Sequence, residues 1–298
     1  MRDGYLLAQD RLSLPAASPR ASGPGATRFR LDFDWGNDFG IAPSPGGQVV
    51  VDGEHRTLGL EVTRGLTPAL ALSARLPLHW RGGGLLDGVI DWWHRLTGLP
   101  DGGRGSVPAD GFRVLGPDAS WSAPPGAGLG RLEVAGHWTP AAGGAWTPAL
   151  VLRAGLPTGA GAYASASGVD LGLQALVARP LGARWDLFTG VGGVAVTDRT
   201  LDGLRYAPAR AHAFLALEWR PARVLSVLGE ASVASRLAET PAGLPGAPAY
   251  LRLGAKLDAG AWTLEGGFVE GIHGLAGTTD FGIMLALVRR LPGPRPAP

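Results

Sequence analysis

Cysteine is absent from the 298 residues, which excludes a disulfide framework and any thiolate-bound zinc. Charge is also scarce. Asp, Glu, Lys and Arg make up 17% of the chain, below the roughly 25% of ordinary soluble domains. Lys256 is the sole lysine, and the formal net charge is only +2. No stretch concentrates arginine with interleaved aromatics, so nucleic acid is not an expected partner. No run of about 18 apolar residues occurs, so no membrane-spanning helix is available. The opening "MRDGYLLAQDRLSL" lacks a charged start followed by an apolar core, so export is expected to rest on a leader outside this sequence.

What the chain has instead is glycine, 48 residues of it, with 25 prolines and repeated two-residue alternation. "RFRLDFDW" places Phe29, Leu31, Phe33 and Trp35 on one face and Arg28, Arg30, Asp32 and Asp34 on the other. "LALSARLPLHW", "GRLEVAGHW", "AHAFLALEWR" and "YLRLGAKLD" repeat the pattern, which marks strands with one apolar and one polar face. About twelve such strands are expected, near 27–36, 54–64, 69–80, 129–139, 147–156, 168–178, 184–196, 209–219, 223–235, 249–258, 260–271 and 278–289. Each has roughly the length that a tilted strand needs to cross a bilayer.

Short and long connections alternate between these strands. A soluble β-sandwich or lipocalin-like barrel would also show two-faced strands, with the apolar face turned inward. Three features favour a transmembrane barrel: the alternation of turn length, the charge deficit, and tryptophans near strand ends (Trp35, Trp80, Trp138, Trp185, Trp219 and Trp262). The expected fold is therefore all-β, an antiparallel up-and-down transmembrane β-barrel of about twelve strands over residues 27–290. An extended arm (1–26) precedes it and a Pro-rich tail (291–298) follows. An even strand count brings both termini to the tight-turn, periplasmic end. Arg28, Asp32, Glu61, Arg75, Arg131, Glu133, Arg153, Glu218, Glu230, Arg252, Lys256 and Glu265 are expected to form a polar network in the lumen.

One segment breaks the pattern. In "LLDGVIDWWHRLTGLPDG", residues 85–102, Leu85, Val89, Ile90, Trp93 and Leu96 recur at helical spacing. Gly98 and Pro100 supply the stop. Its chemistry-bearing residues are Asp87, Asp91, Trp92, Trp93 and His94. This helix of 85–97, in the longest loop, has too much apolar surface to stand free in water. It either folds into the barrel mouth as a plug, the favoured alternative because glycine clusters bracket it, or lies in the outer-leaflet interface.

The stretches "RGGGLLDGVIDWWHRLTGLPDGGR", "DFDWGNDF" and "LLAQDRLSL" resemble an uncharacterised family of bacterial outer-membrane barrels, a domain of unknown function with an aspartate–histidine helix and a Gly-Leu-Pro turn. "LRAGLPTGAG" and "RWDLFTGVGGVAV" are more weakly similar to outer-membrane proteins associated with meta-pathway phenol degradation. The resemblance implies an outer-membrane location and a barrel architecture; it brings no activity, cofactor or catalytic residue. The ending "MLALVRRLPGPRPAP" departs from the terminal aromatic of many such barrels.

Candidate chemistry is sparse. Asp91 and His94 share a helix face and form the nearest thing to a general-base pair. The plainer reading pairs Asp91 with Arg95 and leaves Asp87 and His94 solvated. Asp170, His137, His212 and Glu230 are scattered strand polars. Glu265, Glu270 and His273 gather near one loop end, where they suit a cation less well than a polar rim. No two histidines have metal-ligand spacing, so neither a metal nor a cofactor is expected. The leading expectation is a monomeric outer-membrane channel that passes small solutes, apolar ones included. The alternatives are a lipid or lipopolysaccharide hydrolase using His94, and a sealed structural barrel.

Overall fold

The computed structural model describes residues 5–20, 22–98, 104–141, 144–164, 168–201, 204–240, 247–272 and 278–293. Twelve antiparallel strands form the wall. They are β1 (Thr27–Ser44), β2 (Gly47–Gly65), β3 (Leu70–Gly82), β4 (in two segments, Gly126–Leu129 and Leu132–Trp138), β5 (Thr147–Leu156), β6 (Asp170–Pro180), β7 (Trp185–Val196), β8 (Ala209–Ala222), β9 (Leu225–Ala234), β10 (Ala249–Ala259), β11 (Trp262–Gly271) and β12 (Phe281–Leu291). Each pairs with its sequence neighbour, and β1 pairs with β12 from Thr27↔Leu291 to Asn37↔Phe281, which closes the sheet. Closure leaves no edge, so every ladder N–H and C=O in the wall is satisfied within it.

The alternation is turned inside out relative to a soluble barrel. Leu60, Leu152, Leu173, Leu215, Leu253 and Leu285 are each at least half exposed on the outside. Asp32, Arg75, Arg153, Gln174, Glu230 and Arg252, of the opposite strand parity, are buried inside. A lipid-facing apolar surface around a polar lumen is the arrangement of transmembrane β-barrels. Trp138, Trp146, Trp185, Trp219 and Trp262 are exposed at the tight-turn end, with Trp185 stacked on Trp219 at 5.8 Å. These amphipathic rings suit the headgroup level of a bilayer.

Three departures from the sequence reading have physical causes. The segment 37–53 is no loop: β1 and β2 continue as a hairpin to a tight turn at Pro45–Gly46. Residues 49–55 are buried on both sides of the ribbon, so the two-residue signal that reveals a half-buried strand is missing there. β4 is interrupted because its register on β3 slips by one residue between Arg75↔Glu133 and Leu78↔Leu129. The resulting bulge at Gly130–Arg131 flips the facing of Gly126–Leu129, so Leu129 points outward while Arg131, in step with Glu133, points into the lumen. Finally, the arm does not stay at the periplasmic end with the strand termini but reaches the long-loop end, because its irregular backbone finds its partners in the lumen.

Candidate functional site

The arm enters the barrel from the tight-turn end and runs up the lumen. Near the entry, the Thr139 hydroxyl donates to Pro19 O at 2.6 Å, and Arg20 pairs with Asp186 at 3.1 Å. Midway, Gln174 Nε2 donates to Pro15 O at 3.1 Å. Higher up, Asp170 accepts the Leu12 N–H at 2.9 Å and pairs with Arg11 at 3.3 Å, both side chains being almost fully buried. Arg131 donates to Asp10 O at 2.9 Å. Gly172 and Gly192 face the arm at this level; a Cβ on either would come within about 3 Å of Leu14. Their missing side chains make the slot that Leu12 and Leu14 fill with Val194 and Val196.

At the long-loop end the arm makes the 3₁₀ turn Leu6–Ala8. Leu6 N–H donates to Asp38 Oδ2 at 2.7 Å, an oxygen that also meets His55 Nδ1 at 3.0 Å. Tyr206 donates its hydroxyl to Leu7 O at 3.0 Å, and Tyr163 donates to Gln9 Oε1 at 2.9 Å. Burial pushes the Tyr163 phenol up from its ordinary pKa, against a smaller opposing pull from Arg81, so it stays a neutral donor. Around these bonds Tyr5, Leu6, Leu7 and Ala8 pack with Val49, Val51, Val114, Trp121, Leu204, Tyr206 and Leu237. The outer mouth is thereby capped by an apolar cluster drawn from the arm, the β1–β2 hairpin and three loops.

Below the cap the lumen opens into a cavity of about 470 Å³ lined by seven basic and six acidic side chains. Many of them pair, along the ladder or across one intervening strand. Glu230 meets Arg252 at 2.7 Å across β9 and β10, and Glu218 meets Lys256 at 3.4 Å. Arg30 meets Glu265 at 2.6 Å, and Arg28 meets Glu61 at 3.0 Å. Slightly higher, Arg75 bridges Asp32 at 2.8 Å and Glu133 at 3.6 Å. Arg153 and His137 also face the cavity, while His212 lies beside the arm. The opposite wall is apolar, with Phe188, Phe214 and Ala216 against Ala16 and Ala17 of the arm. Alongside the upper arm lie small cavities of about 40 and 30 Å³, room for a few waters.

The helix α1 (Asp87–Thr97) lies elsewhere. Leu86, Ile90 and Trp93 pack on Trp35, Phe268 and Phe281, which share the strand parity of the outward-facing Leu31, Leu264 and Leu285. The favoured expectation of an inward plug is therefore corrected: the helix is docked on the outside of the wall. Glu54 accepts the Leu86 N–H, and Asp87 accepts from Asn37 at 3.0 Å and Arg104 at 2.8 Å. Gly98, at φ +72°, ends it with a bond to His94 O, as its sequence predicts. Trp92 is 56% exposed on the side away from the wall, in line with Leu85, Val89 and Leu96.

Neither sequence reading of Asp91 and His94 holds. Among the described residues Asp91 makes no ion pair with His94 or Arg95, and His94 is buried. His94 Nε2 faces Glu270 Oε1 at 3.8 Å and Asp280 Oδ1 at 4.0 Å. His273 and the Gly-Leu-Pro turn beyond Gly98 lie outside the described residues. Sequence reasoning missed Asp10, Arg11, Asp38, His55 and Arg81 as lumen groups. Asp38 and His55 fall where alternation is hidden, and the arm carries no periodicity at all.

The architecture is similar to that of the COG4313 outer membrane channel from Pseudomonas putida F1, at a TM-score of 0.66 and 14% identity over 93% of this chain and 100% of that one. It is also similar to the NanC porin (TM-score 0.52, 6% identity, 89% of this chain and 100% of that one). The translocator domain of the autotransporter NalP from Neisseria meningitidis is comparable, with a TM-score of 0.51 and 10% identity over 91% of this chain and 90% of that one. At such identities the likeness is one of fold, that of outer-membrane β-barrels. No curated protein matches the chain. A family model matches residues 5–291, a span that takes in the lumenal arm as well as the wall, and the chain belongs to that family, described as Protein of unknown function (DUF3187).

Proposed function

We propose that this protein is an outer-membrane channel for small solutes whose own N-terminal arm closes it. The observation that carries the reading is the division of the lumen: a wide charged cavity at the tight-turn end, and an arm-filled, apolar-capped half at the other. A sealed structural barrel has no need of a cavity this size. An arm held by side chains around it, with no strand pairing of its own, can leave without breaking the wall. Near-balanced lining charge selects weakly for solute charge, and one charged wall facing one apolar wall fits a small neutral or zwitterionic molecule with an apolar body. The names of two relatives of this fold, a channel and a porin, support the same reading. The exposed row Leu85, Val89, Trp92 and Leu96 supports a seat for α1 in the outer-leaflet interface, with tryptophan at headgroup depth.

Planar-bilayer recording tests this. The full chain should give small, brief conductance steps, and a variant lacking residues 5–17 should give large, sustained ones. If the shortened barrel inserts, keeps its β-sheet signature and still carries no current, the channel reading fails and a sealed barrel takes its place.

A further inference from the structure

We propose that His94, Glu270 and Asp280 bind a divalent transition-metal ion that pins the loop helix to the outer wall. The three side chains come from α1, the end of β11 and the residue just before β12, and their ligand atoms all lie within 4.8 Å of one another. The ladder itself sets two of them side by side: Glu270 is the partner of Phe281, next to Asp280. Docking of α1 through Ile90 and Trp93 delivers the third.

His94 is the observation that points to a ligand. It is 6% exposed, yet neither ring nitrogen has a hydrogen-bond partner. A buried polar group left this way is costly and calls for a missing partner. Its Nε2 points at two carboxylate oxygens 3.8 and 4.0 Å away, beyond hydrogen-bond reach. In a tetrahedral site with bonds of about 2.1 Å, donors stand about 3.4 Å apart. The two His94 distances are thus about half an ångström wider than in a filled site, and the carboxylate pair, within 4.8 Å, stands no more than about 1.4 Å wider, gaps that side-chain rotation closes.

The surroundings suit a cation. Asp280 offers Oδ1 to the cluster while its Oδ2 is held by Arg104, which is itself held by Asp87 at 2.8 Å and by Asn37 at 2.7 Å. Such outer contacts orient metal-binding carboxylates. Beneath the helix, the carboxyl groups of Asp52, Asp87, Glu270 and Asp280 outnumber the guanidinium of Arg104 that they gather round, an acid-rich patch that favours a cation. An imidazole with two carboxylates favours zinc and its first-row neighbours over calcium, which takes six to eight oxygens. With three protein donors, one position is left to water.

The test is equilibrium dialysis of the detergent-purified full chain, first stripped with chelator, against zinc, with metal content measured per chain. One equivalent should be retained by the wild type and by Asp91→Asn, which changes the same helix away from the cluster. His94→Gln and Glu270→Gln should each weaken retention at least about tenfold, the lower end of what perturbing a metal site does. Cobalt(II) should give a visible absorption band that His94→Gln removes, and zinc should protect the 83–125 loop from protease. Heat-modified gel mobility reports whether each variant still forms the barrel; if His94→Gln does not, Glu270→Gln decides. No retention by the wild type, or undiminished retention by a folded His94→Gln or Glu270→Gln variant, overturns the site.

Discussion

The arm at Tyr5–Arg20 and the helix at Asp87–Thr97 both lie outside the ladder and both carry leucines and aromatics, yet they settle on opposite sides of the wall. Their backbones explain why. A helix satisfies its own N–H and C=O groups, so α1 can lie against the outer surface and show apolar side chains to lipid. The arm is irregular, and its backbone groups need partners from elsewhere. Asp38, Asp170, Arg131, Thr139, Gln174 and Tyr206 supply them, and only a lumen lined with polar side chains can do so. Hydrophobicity therefore does not decide which side of a barrel a segment takes; backbone satisfaction does.

Four experiments bear on this contrast. Removing residues 5–17 should have the largest effect, converting brief conductance into sustained steps. Asp170→Ala comes next. It leaves the buried Arg11 without its carboxylate partner and Leu12 N–H without its acceptor, at a cost of about 3 kcal/mol to the arm-in state, which is about a hundredfold in the population of open barrels. Single-channel open probability reads that shift directly, and unchanged gating would mean that Asp170 does not hold the arm. Tyr163→Phe removes one hydrogen bond to Gln9, about 1 kcal/mol, and should raise open probability roughly fivefold. The smallest effect on current should come from Leu85→Ala with Trp92→Ala on the outer helix. Conductance should be unchanged, while tryptophan quenching by lipids brominated near the headgroup falls. A conductance change in that variant would break the assignment of the two segments to opposite faces.

Much of the wall was legible because half-buried strands must alternate and because turn length must sort to two ends. The pairing of lumen charges was legible as composition: Glu230 and Arg252 sit on polar faces of strands that the ladder makes neighbours, and Arg30 and Glu265 meet across the intervening β12. The helix and its Gly98 stop were also legible, but not its side of the wall, which depends on where Phe268 and Phe281 fall after closure. The arm's path was hidden for a different reason. "LAQDRLSLPAAS" has no period to read, since its partners are scattered over β1, β4, β6 and distant loops. The same distance in sequence hid His94, Glu270 and Asp280, because metal-ligand spacing is a local signature and this cluster is assembled across the seam.

The arm's attachment at Thr27 has a kinetic consequence. Joined to the first strand by only a few residues at the inner rim, it is a tethered ligand whose local concentration near its slot is on the order of millimolar. A free peptide of the same sequence would have to exceed that level to compete in the intact protein, whereas in the shortened barrel it would face no rival. On the proposed channel reading, escape of the arm is followed by prompt recapture, and the duration of each opening is set by the leash rather than by encounter in solution.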